Sequence, residues 1–321
     1  MRNAFADEMT RLAGADPRVV LLSGDIGNRL FDPYKAVAPE RFLNAGVAEA
    51  NMIGMAAGMA LSGLRPVAYT ITPFITTRCL EQIRVDVCYH RAPVVIVGVG
   101  SGLGYASLGA THHSCEDMAF LRALPGMTVM APADAWEVRA ALRAALAHDG
   151  PVYLRIGKKG EPQVHAGVPA DFAIGRGLVV DEGDGICLLA AGTILPVARD
   201  AAALLRNRGL SVRLVSLHTV KPLDTALLED SFARFRAVAT VEEHSLIGGL
   251  GGAVAEWLAD RDPLTAPPVR ARLARFGTRD EFLHTAGKQG YARAHFGLTA
   301  DAIAERLAAL AGACNRRIVP P

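Results

Sequence analysis

Short, uninterrupted apolar runs recur along the first half of the chain, separated by segments with helical periodicity. In these runs hydrophobic residues follow one another instead of alternating with polar ones, which indicates strands that are covered on both faces. A parallel sheet flanked by helices has that property, so we predict an α/β fold. The runs are VVLLSGD (19–25), RPVAYT (65–70), PVVIVGVG (93–100), MTVMAP (127–132) and PVYLRI (151–156).

The pattern stops after these strands and then resumes. The segment 157–177 is rich in Gly, Pro and charged residues and has no sustained period, which is typical of a connection between domains. We therefore expect two doubly wound α/β domains, over residues 1–160 and 177–312, joined by a linker at 161–176 and followed by a frayed tail at 313–321. The strands predicted in the second domain are ICLLAAG (186–192), SVRLVSL (211–217) and AVATVEE (237–243).

Composition and charge exclude several classes of protein. Hydrophobic residues make up 51% of the 321 positions and charged residues 21%, which is typical of a folded chain. The 34 basic and 32 acidic side chains give a net charge of +2 and are dispersed, so we expect neither a nucleic-acid partner nor a membrane-bound protein. The uncharged stretch 92–115 contains glycines and two histidines, and we interpret it as a strand and a loop rather than a membrane span.

The cysteines and the first residues bear on location. The five cysteines are scattered and form no C-x-x-C pair, which fits a reducing compartment. The opening MRNAFADEMTRL has the pattern of an amphipathic helix with acidic residues and lacks the apolar core of a signal peptide. We expect a cytoplasmic protein.

Glu49 is the one charged residue in NAGVAEANMIGMAAGMAL (44–61), where a predicted strand leads into a helix. One interpretation is a first-turn acid, favoured by the helix dipole and the free backbone N–H groups. The other is a buried carboxyl: with methionines around it, desolvation would favour the protonated form, as suits a group that shares a proton with a nitrogen of a ligand. The residues alone leave both open.

Two further stretches place polar or aromatic groups where strands end. In GYASLGATHHSCEDMAFLR (104–122), His112 and His113 precede a predicted helix. Ser114 and Asp117 could cap that helix, the crowded ligand types could hold a metal, or the histidines could handle substrate hydroxyls and protons, which we favour. Phe74 follows the strand at 65–70 and could stack on a planar heterocycle, since ligands of open α/β sheets bind at such ends.

Several motifs, in this order, resemble the C-terminal half of transketolases and especially the separately encoded C-terminal subunit of split transketolases. The resemblance covers nearly the whole chain and implies a pyrimidine-binding domain for thiamine diphosphate over residues 1–160, followed by a transketolase C-terminal domain over 177–312. The motifs are GVAEANM around Glu49, FITTRCLEQIR (74–84), GATHHSCED (109–117), HTVKPLD (218–224) and EEHSLIGGLGGAV (242–254).

The resemblance also implies roles for individual residues. The carboxyl at the position of Glu49 hydrogen-bonds the pyrimidine N1′ of the cofactor, and a Phe at the position of Phe74 stacks on the same ring. Asp25 falls where an Asp lies close to the cofactor, and His112 falls where a His contacts the hydroxyls of the sugar donor and assists proton transfer. His113 is a further candidate near the substrate. Basic groups that could hold a sugar phosphate at the mouth of the site are Arg2, Arg29, Arg155 and Lys158.

This chain departs from the family's pattern at two places that concern the substrate. Leu108 stands where transketolases that recognise the configuration of the donor carry an Asp, and a His that helps to bind phosphate is replaced near Gly100. Leucine accepts no hydrogen bond from a hydroxyl, so a modified, deoxy or non-phosphorylated sugar becomes an alternative to the usual donor.

The metal-binding motif of the family, a G-D-G that ends a strand and is followed by an Asn, is missing. EGDGI (182–186) is similar in letters but precedes a strand, so we interpret it as a turn. We therefore expect Mg²⁺ (or Ca²⁺) and the diphosphate to be held mainly by an N-terminal transketolase subunit, in an assembly that also contains a second copy of this chain (α2β2).

Other functions remain possible on the sequence alone. The β subunit of a 2-oxo acid dehydrogenase and an enzyme similar to 1-deoxyxylulose-phosphate synthase share the order of domains. A partner subunit without catalytic residues is a different class, and the presence of Glu49, Phe74 and His112 together argues against it. We predict a transferase subunit that moves a two-carbon ketol unit between sugars or sugar phosphates.

Overall fold

The computed structural model describes residues 1–27, 29–262 and 264–315, without the side chains of 312–315. The helices α1–α12 are Arg2–Ala15, Asp32–Val37, Glu49–Leu61, Thr72–Ile75, Leu80–Gln82, Asp117–Ala123, Ala135–Ala147, Leu195–Asn207, Thr225–Arg234, Leu250–Ala259, Gln289–His295 and Ala300–Asn315. The strands β1–β12 are Val19–Ser23, Phe42–Asn44, Arg65–Ile71, Val95–Val99, Thr128–Met130, Val152–Ile156, Leu178–Asp181, Ile186–Ala191, Val212–Ser216, Thr219–Lys221, Ala237–Ser245 and Arg272–Thr278.

The first half of the chain forms a seven-stranded sheet in the order β10-β5-β6-β4-β3-β1-β2. Strands β1 to β6 are parallel to their neighbours, while β10 comes from the second half of the chain and pairs antiparallel with β5. The central strands are buried along their whole length, as their continuous hydrophobicity predicts.

The second half forms a five-stranded sheet in the order β12-β11-β8-β9-β7, in which only the pair β7 and β9 is antiparallel. EGDGI begins at the turn between β7 and β8, as we predicted, and at Gly183 a Cβ would overlap the backbone of Val212. The first glycine of that motif is therefore explained by the close approach of the two chain segments.

Each strand predicted from an apolar run is present. The segment after Phe74 is divided into short turns: the Thr76 hydroxyl donates to the carbonyl of Thr72 at 2.7 Å, and short helical turns and a π-helical turn, Ile83–Tyr89, follow. Of the predicted tail, residues 316–321 lie outside the described part, whereas α12 continues to Asn315. None of the described helices has the length and apolar character that crossing a bilayer requires.

The parallel strands bring the predicted site residues to one edge of the first sheet. Parallel strands end on the same side, and ligands of open α/β sheets bind there. The segments that leave this edge carry Asp25 after β1, Glu49 after β2, Phe74 after β3, Gly100 after β4 and Lys158 after β6.

Candidate active site

Glu49 is the first residue of α3 and is buried, with 2% of its surface exposed. Apolar side chains of the same helix, among them Met52 and Ile53, pack against the sheet and carry the helix N-terminus into the protein. The Glu49 Oε2 accepts a hydrogen bond from Nη1 of Arg78 at 2.7 Å. The two interpretations of Glu49 are therefore compatible, because the carboxyl lies in the first turn of a helix and is also buried.

Phe74 lies in α4, directly after β3, at the strand end where the sequence places it. The guanidinium carbon of Arg78 lies 4.5 Å from the centre of the Phe74 ring, and the His112 ring lies 5.3 Å away in an edge-on arrangement. Arg78 thus joins Glu49 to Phe74, and Phe74 leads on to His112. The structure brings these three predicted residues into one continuous group.

The two neighbouring histidines face different surroundings. His112 forms a hydrogen bond between Nδ1 and the Thr111 hydroxyl at 2.9 Å and lies 6.0 Å from the Tyr105 ring. His113 instead lines a cavity of about 230 Å³ together with residues such as Arg279, and burial lowers its pKa below 6.5. His112 is the histidine that belongs to the group around Phe74.

Tyr105 fills the space next to Gly100, the position that departs from the family's pattern. A Cβ built on Gly100 would overlap the Tyr105 ring, so no side chain fits there while the tyrosine keeps its place. The Lys158 ammonium lies 4.6 Å from the centre of the same ring. The rings of Phe74, His112 and Tyr105 are therefore in successive contact, and the Lys158 ammonium lies beside the last of them.

Arg155 is not at the mouth of the site, contrary to our expectation for a residue that binds a sugar phosphate. It is buried, and its Nε donates to Asp117 at 2.8 Å while Nη2 donates to the carbonyl oxygens of Ser114 and Glu243. Burial alone would raise the pKa of Asp117, but the charge and hydrogen bond of Arg155, together with His244 and the hydrogen bond from Tyr153, outweigh burial and leave that pKa below its usual value. Arg155 is needed to neutralise this buried carboxylate.

Ser114 and Asp117 do not cap helix α6, so that interpretation of the sequence is wrong. Helix α6 begins at Asp117, its N-cap is Glu116, and no side-chain hydrogen bond caps it. Ser114 instead forms backbone hydrogen bonds with Gly102 in both directions, which close the loop that carries His112.

The remaining candidates lie at the edges of the group. Asp25, in a left-handed conformation after β1, accepts a hydrogen bond from Asn44 at 3.0 Å, and Asn44 in turn holds the N–H of Gly46 in the loop before Glu49. Arg29 is exposed. The charge of Arg2 lies near Tyr105, where it opposes the rise that burial causes in the tyrosine's pKa.

Arg78 and Tyr105 contact the predicted residues Glu49, Phe74 and His112, and the sequence interpretation missed both. Arg78 follows Phe74 by four residues, and that spacing places side chains on one face of a helical segment, so the signal was present. For Tyr105 the only signal is the glycine five residues earlier, which does not reveal which ring covers it. Among the described residues, no group of three or more His, Cys, Asp and Glu side chains is arranged to hold a metal.

Models of two protein families match the chain. Residues 1–162 match the transketolase pyrimidine-binding domain, and residues 175–303 match the transketolase C-terminal domain. A putative transketolase C-terminal section from Methanocaldococcus jannaschii is 35% identical, over 96% of this chain and 95% of that protein. The subunit SqwH of a 6-deoxy-6-sulfo-D-fructose transketolase from Clostridium sp. is 37% identical, over 94% and 92%.

A solved structure agrees in both sequence and fold. It is described as a split-gene transketolase in an inactive β4 tetramer, is 35% identical, and superposes with a TM-score of 0.85 over 98% of this chain and 97% of its own. The 1-deoxy-D-xylulose-5-phosphate synthase of Chlorobium phaeovibrioides is 36% identical, but this chain spans only 47% of its length.

Proposed function

The chain belongs to the transketolase family, and we propose that it supplies the pyrimidine half of a thiamine diphosphate site that it shares with a second polypeptide. The pair would transfer a two-carbon ketol unit between sugars or sugar phosphates. The observation that carries this proposal is the buried Glu49 carboxyl, which is joined through Arg78 to the Phe74 ring at the carboxyl edge of the first sheet.

The residues at this edge fit an aminopyrimidine. Glu49 offers carboxyl oxygens to the edge of a heterocycle, and Phe74 offers a ring for its face. When bound, thiamine diphosphate supplies the nucleophilic carbon that takes up the two-carbon unit. Glu49 would hold the ring nitrogen N1′ and exchange a proton with it. The buried side chains of Met52 and Ile53, on the same helix, would help to exclude water from that hydrogen bond.

His112 and Lys158 would act on the sugar. With its Nδ1 bonded to the Thr111 hydroxyl, His112 can direct the other ring nitrogen to a donor hydroxyl and move its proton. Lys158, beyond Tyr105, would bind an anionic group at the far end of the sugar, with Arg29 as a further cation at the mouth. Asp25 would lie beside the cofactor, through its link to the loop before Glu49.

The donor would differ from the usual one at the position that faces Leu108. That side chain is 52% exposed and offers no hydrogen bond, so a deoxygenated or altered carbon is tolerated there. Relatives of this chain are named as subunits of a 6-deoxy-6-sulfo-D-fructose transketolase and an apulose-4-phosphate transketolase. Modified sugars with an anionic end are therefore the substrate class we propose.

The partner would be an N-terminal transketolase subunit that carries the diphosphate-binding domain and Mg²⁺ (or Ca²⁺), in an α2β2 assembly. Relatives described as subunits or sections cover the same length as this chain, which supports a divided enzyme. The four cysteines whose side chains the structure describes are free thiols, in keeping with a cytoplasmic location.

The test is Glu49→Gln in the chain reconstituted with the product of a neighbouring gene for the N-terminal subunit. With thiamine diphosphate and magnesium, we expect turnover of ketose donors to fall by roughly 10²- to 10⁴-fold, because a positioned acid–base group typically contributes that much. Glutamine keeps the volume and the packing, so assembly measured by size-exclusion chromatography stays unchanged.

Glu81→Gln is the matched control, since Glu81 is an exposed carboxylate on α5 that accepts a hydrogen bond from the neighbouring Gln82. Unchanged turnover in Glu49→Gln would refute the role of Glu49. The donor panel includes pyruvate with an aldehyde: turnover of the 2-oxo acid instead of ketoses would favour the chemistry of a 1-deoxyxylulose-phosphate synthase or a 2-oxo acid dehydrogenase.

A further inference from the structure

Arg78 already contacts Glu49 and Phe74, the two side chains that we assign to the heterocycle. Its Nη1 donates to Glu49 Oε2 at 2.7 Å, and its guanidinium carbon lies 4.5 Å from the centre of the Phe74 ring. A guanidinium is planar, donates hydrogen bonds from its edge and stacks through its face. An aminopyrimidine shares these properties, so Arg78 and the ring would compete for the same partners.

The two members of this ion pair differ in how freely they can move. Glu49 is 2% exposed and stands at the start of a helix with one buried face, whereas the side chain of Arg78 is 45% exposed. Arg78 also stands on a single 3₁₀ turn, Thr77–Cys79, between two interruptions of helical structure. Arg78 can turn into solvent and recover hydration, while Glu49 stays in place and needs a new donor.

We propose that Arg78 occupies the place of the pyrimidine ring, paired with Glu49 and lying over Phe74, until the ring displaces the guanidinium. This inference rests on the proposed function, because it names the residue that gates the same site. It follows that the apparent affinity for the ring is reduced by the competing pair. Removing the guanidinium should make the site bind the ring more tightly.

The test uses the full chain alone, with thiamine as the probe. Thiamine carries the aminopyrimidine ring but no diphosphate, so it does not depend on a metal held by another subunit. By isothermal titration calorimetry, we expect Arg78→Ala to bind thiamine roughly tenfold more tightly than the wild type, since a charge-assisted hydrogen bond no longer has to be broken. A damaged fold would lower the affinity, so a merely structural role cannot produce this gain.

Two further variants sharpen the result. Arg84→Ala removes the same charge from an exposed position of the following turn and should bind thiamine as the wild type does. Arg78→Lys keeps a cation that can reach Glu49 but has no planar group to cover Phe74, so its affinity should lie between those of wild type and Arg78→Ala.

The outcomes separate this inference from the proposed function. If Arg78→Ala binds thiamine as the wild type does, or more weakly, while Glu49→Gln lowers the affinity, the heterocycle site stands and the displacement of Arg78 is wrong. If folded wild type and all variants fail to bind thiamine, the chain alone does not hold the ring and the displacement of Arg78 is wrong, whereas the proposed function is then decided by turnover of Glu49→Gln in the reconstituted pair. Tighter binding by Arg78→Ala that is lost in the double variant with Glu49→Gln supports both.

Discussion

At the scale of single residues, Glu242 and His244 form a buried acid–base pair at the end of β11. Two backbone N–H groups at the start of α10, those of Leu250 and Gly251, donate to Glu242, and its Oε2 lies 3.8 Å from Nδ1 of His244. Burial raises the pKa of Glu242 to about 7 and lowers the pKa of His244 to about 4. Each group is therefore driven toward its neutral form.

The two shifts have opposite effects on stability. The raised pKa of Glu242 stabilises the fold below pH 4.5, and this contribution is lost as the pH rises through about 7. The lowered pKa of His244 stabilises the fold above pH 6.5, and this contribution is lost as the pH falls through about 4. Between about pH 4.5 and 6.5 the folded protein holds one proton on this pair, on Glu242, and the unfolded chain also holds one, on His244. The two contributions to stability therefore largely cancel in this range.

The variant Glu242→Gln should remove this cancellation. We expect the free energy of unfolding of the variant, relative to the wild type, to rise with pH between about 4.5 and 7, by up to about 1.4 kcal/mol per pH unit. Urea unfolding of both proteins at several pH values measures the difference. A difference that is flat or falls with pH would contradict the raised pKa of Glu242.

At the scale of secondary-structure elements, contacts between the two halves of the chain hold the loop that carries His112. Arg155 of β6 bonds Asp117 at the start of α6 and also the Glu243 carbonyl of β11. The Glu243 carboxylate accepts the N–H of Leu103 at 2.6 Å and the side chains of α11, Gln289 and Arg293. The loop thus has a fixed base, which is what a residue that positions substrate requires.

Replacement of Arg155 by Met should be strongly destabilising. Asp117 would keep a buried charge without its cation, and breaking such a pair typically costs about 3–5 kcal/mol of the free energy of unfolding. The double variant Arg155→Met with Asp117→Asn should recover part of this loss, because no buried charge is left unpaired. Denaturant unfolding of the single and double variants measures both. A double variant that is no more stable than Arg155→Met would show that packing, not charge, sets the cost.

The same elements show what the sequence can and cannot predict. Strands with long apolar runs were found because burial on both faces leaves a local pattern. Strand β10 was missed: it has three residues, and its partner is β5 from the first half of the chain, a pairing that no local pattern contains. Strand β12 was missed because arginines interrupt its apolar run.

For the candidate site, the sequence located the side chains that chemistry singles out, such as Glu49, but not their partners. Arg155 was interpreted as a surface cation because the local sequence does not show that Asp117, 38 positions away, is buried against it. The spacing of Arg78 from Phe74 indicates that the two side chains share a face, but it does not reveal the carboxylate that Arg78 contacts, 29 positions earlier.

At the scale of the whole molecule, the segment between the two sheets is not a free tether. The Asp134 carboxylate accepts the backbone N–H groups of Val164 and His165 at 2.9 Å, and His165 Nε2 lies 2.7 Å from Glu137 Oε1. Further on, the Phe172 ring stacks on His218 at 4.0 Å. The segment without periodicity is therefore held by polar contacts and by single apolar side chains such as Phe172, which leave no periodic hydrophobic pattern.

His165 makes this docking dependent on pH. Burial alone would lower its pKa, but the hydrogen bond and charge of Glu137, together with the charges of Asp134 and Asp171, outweigh burial and raise the pKa above 6.5. The contribution of the charged pair is thus fully present below pH 6.5 and is lost as the pH rises through the higher pKa of the folded state. Lys158, the cation that we assign to the far end of the sugar, lies seven residues before His165 on the same segment.

His165→Ala should loosen this segment while the two sheets stay folded. We expect the protection factors of the amides at 160–168, measured by hydrogen exchange, to fall by about 2- to 10-fold below pH 6.5, because one hydrogen-bonded pair is lost. The gap between variant and wild type should narrow at higher pH, where the wild type loses its own charge pair. His284→Ala, at an exposed histidine, is the matched control. A gap that widens with pH would mean that neutral His165 holds the segment, and the position of Lys158 would then not depend on this ion pair.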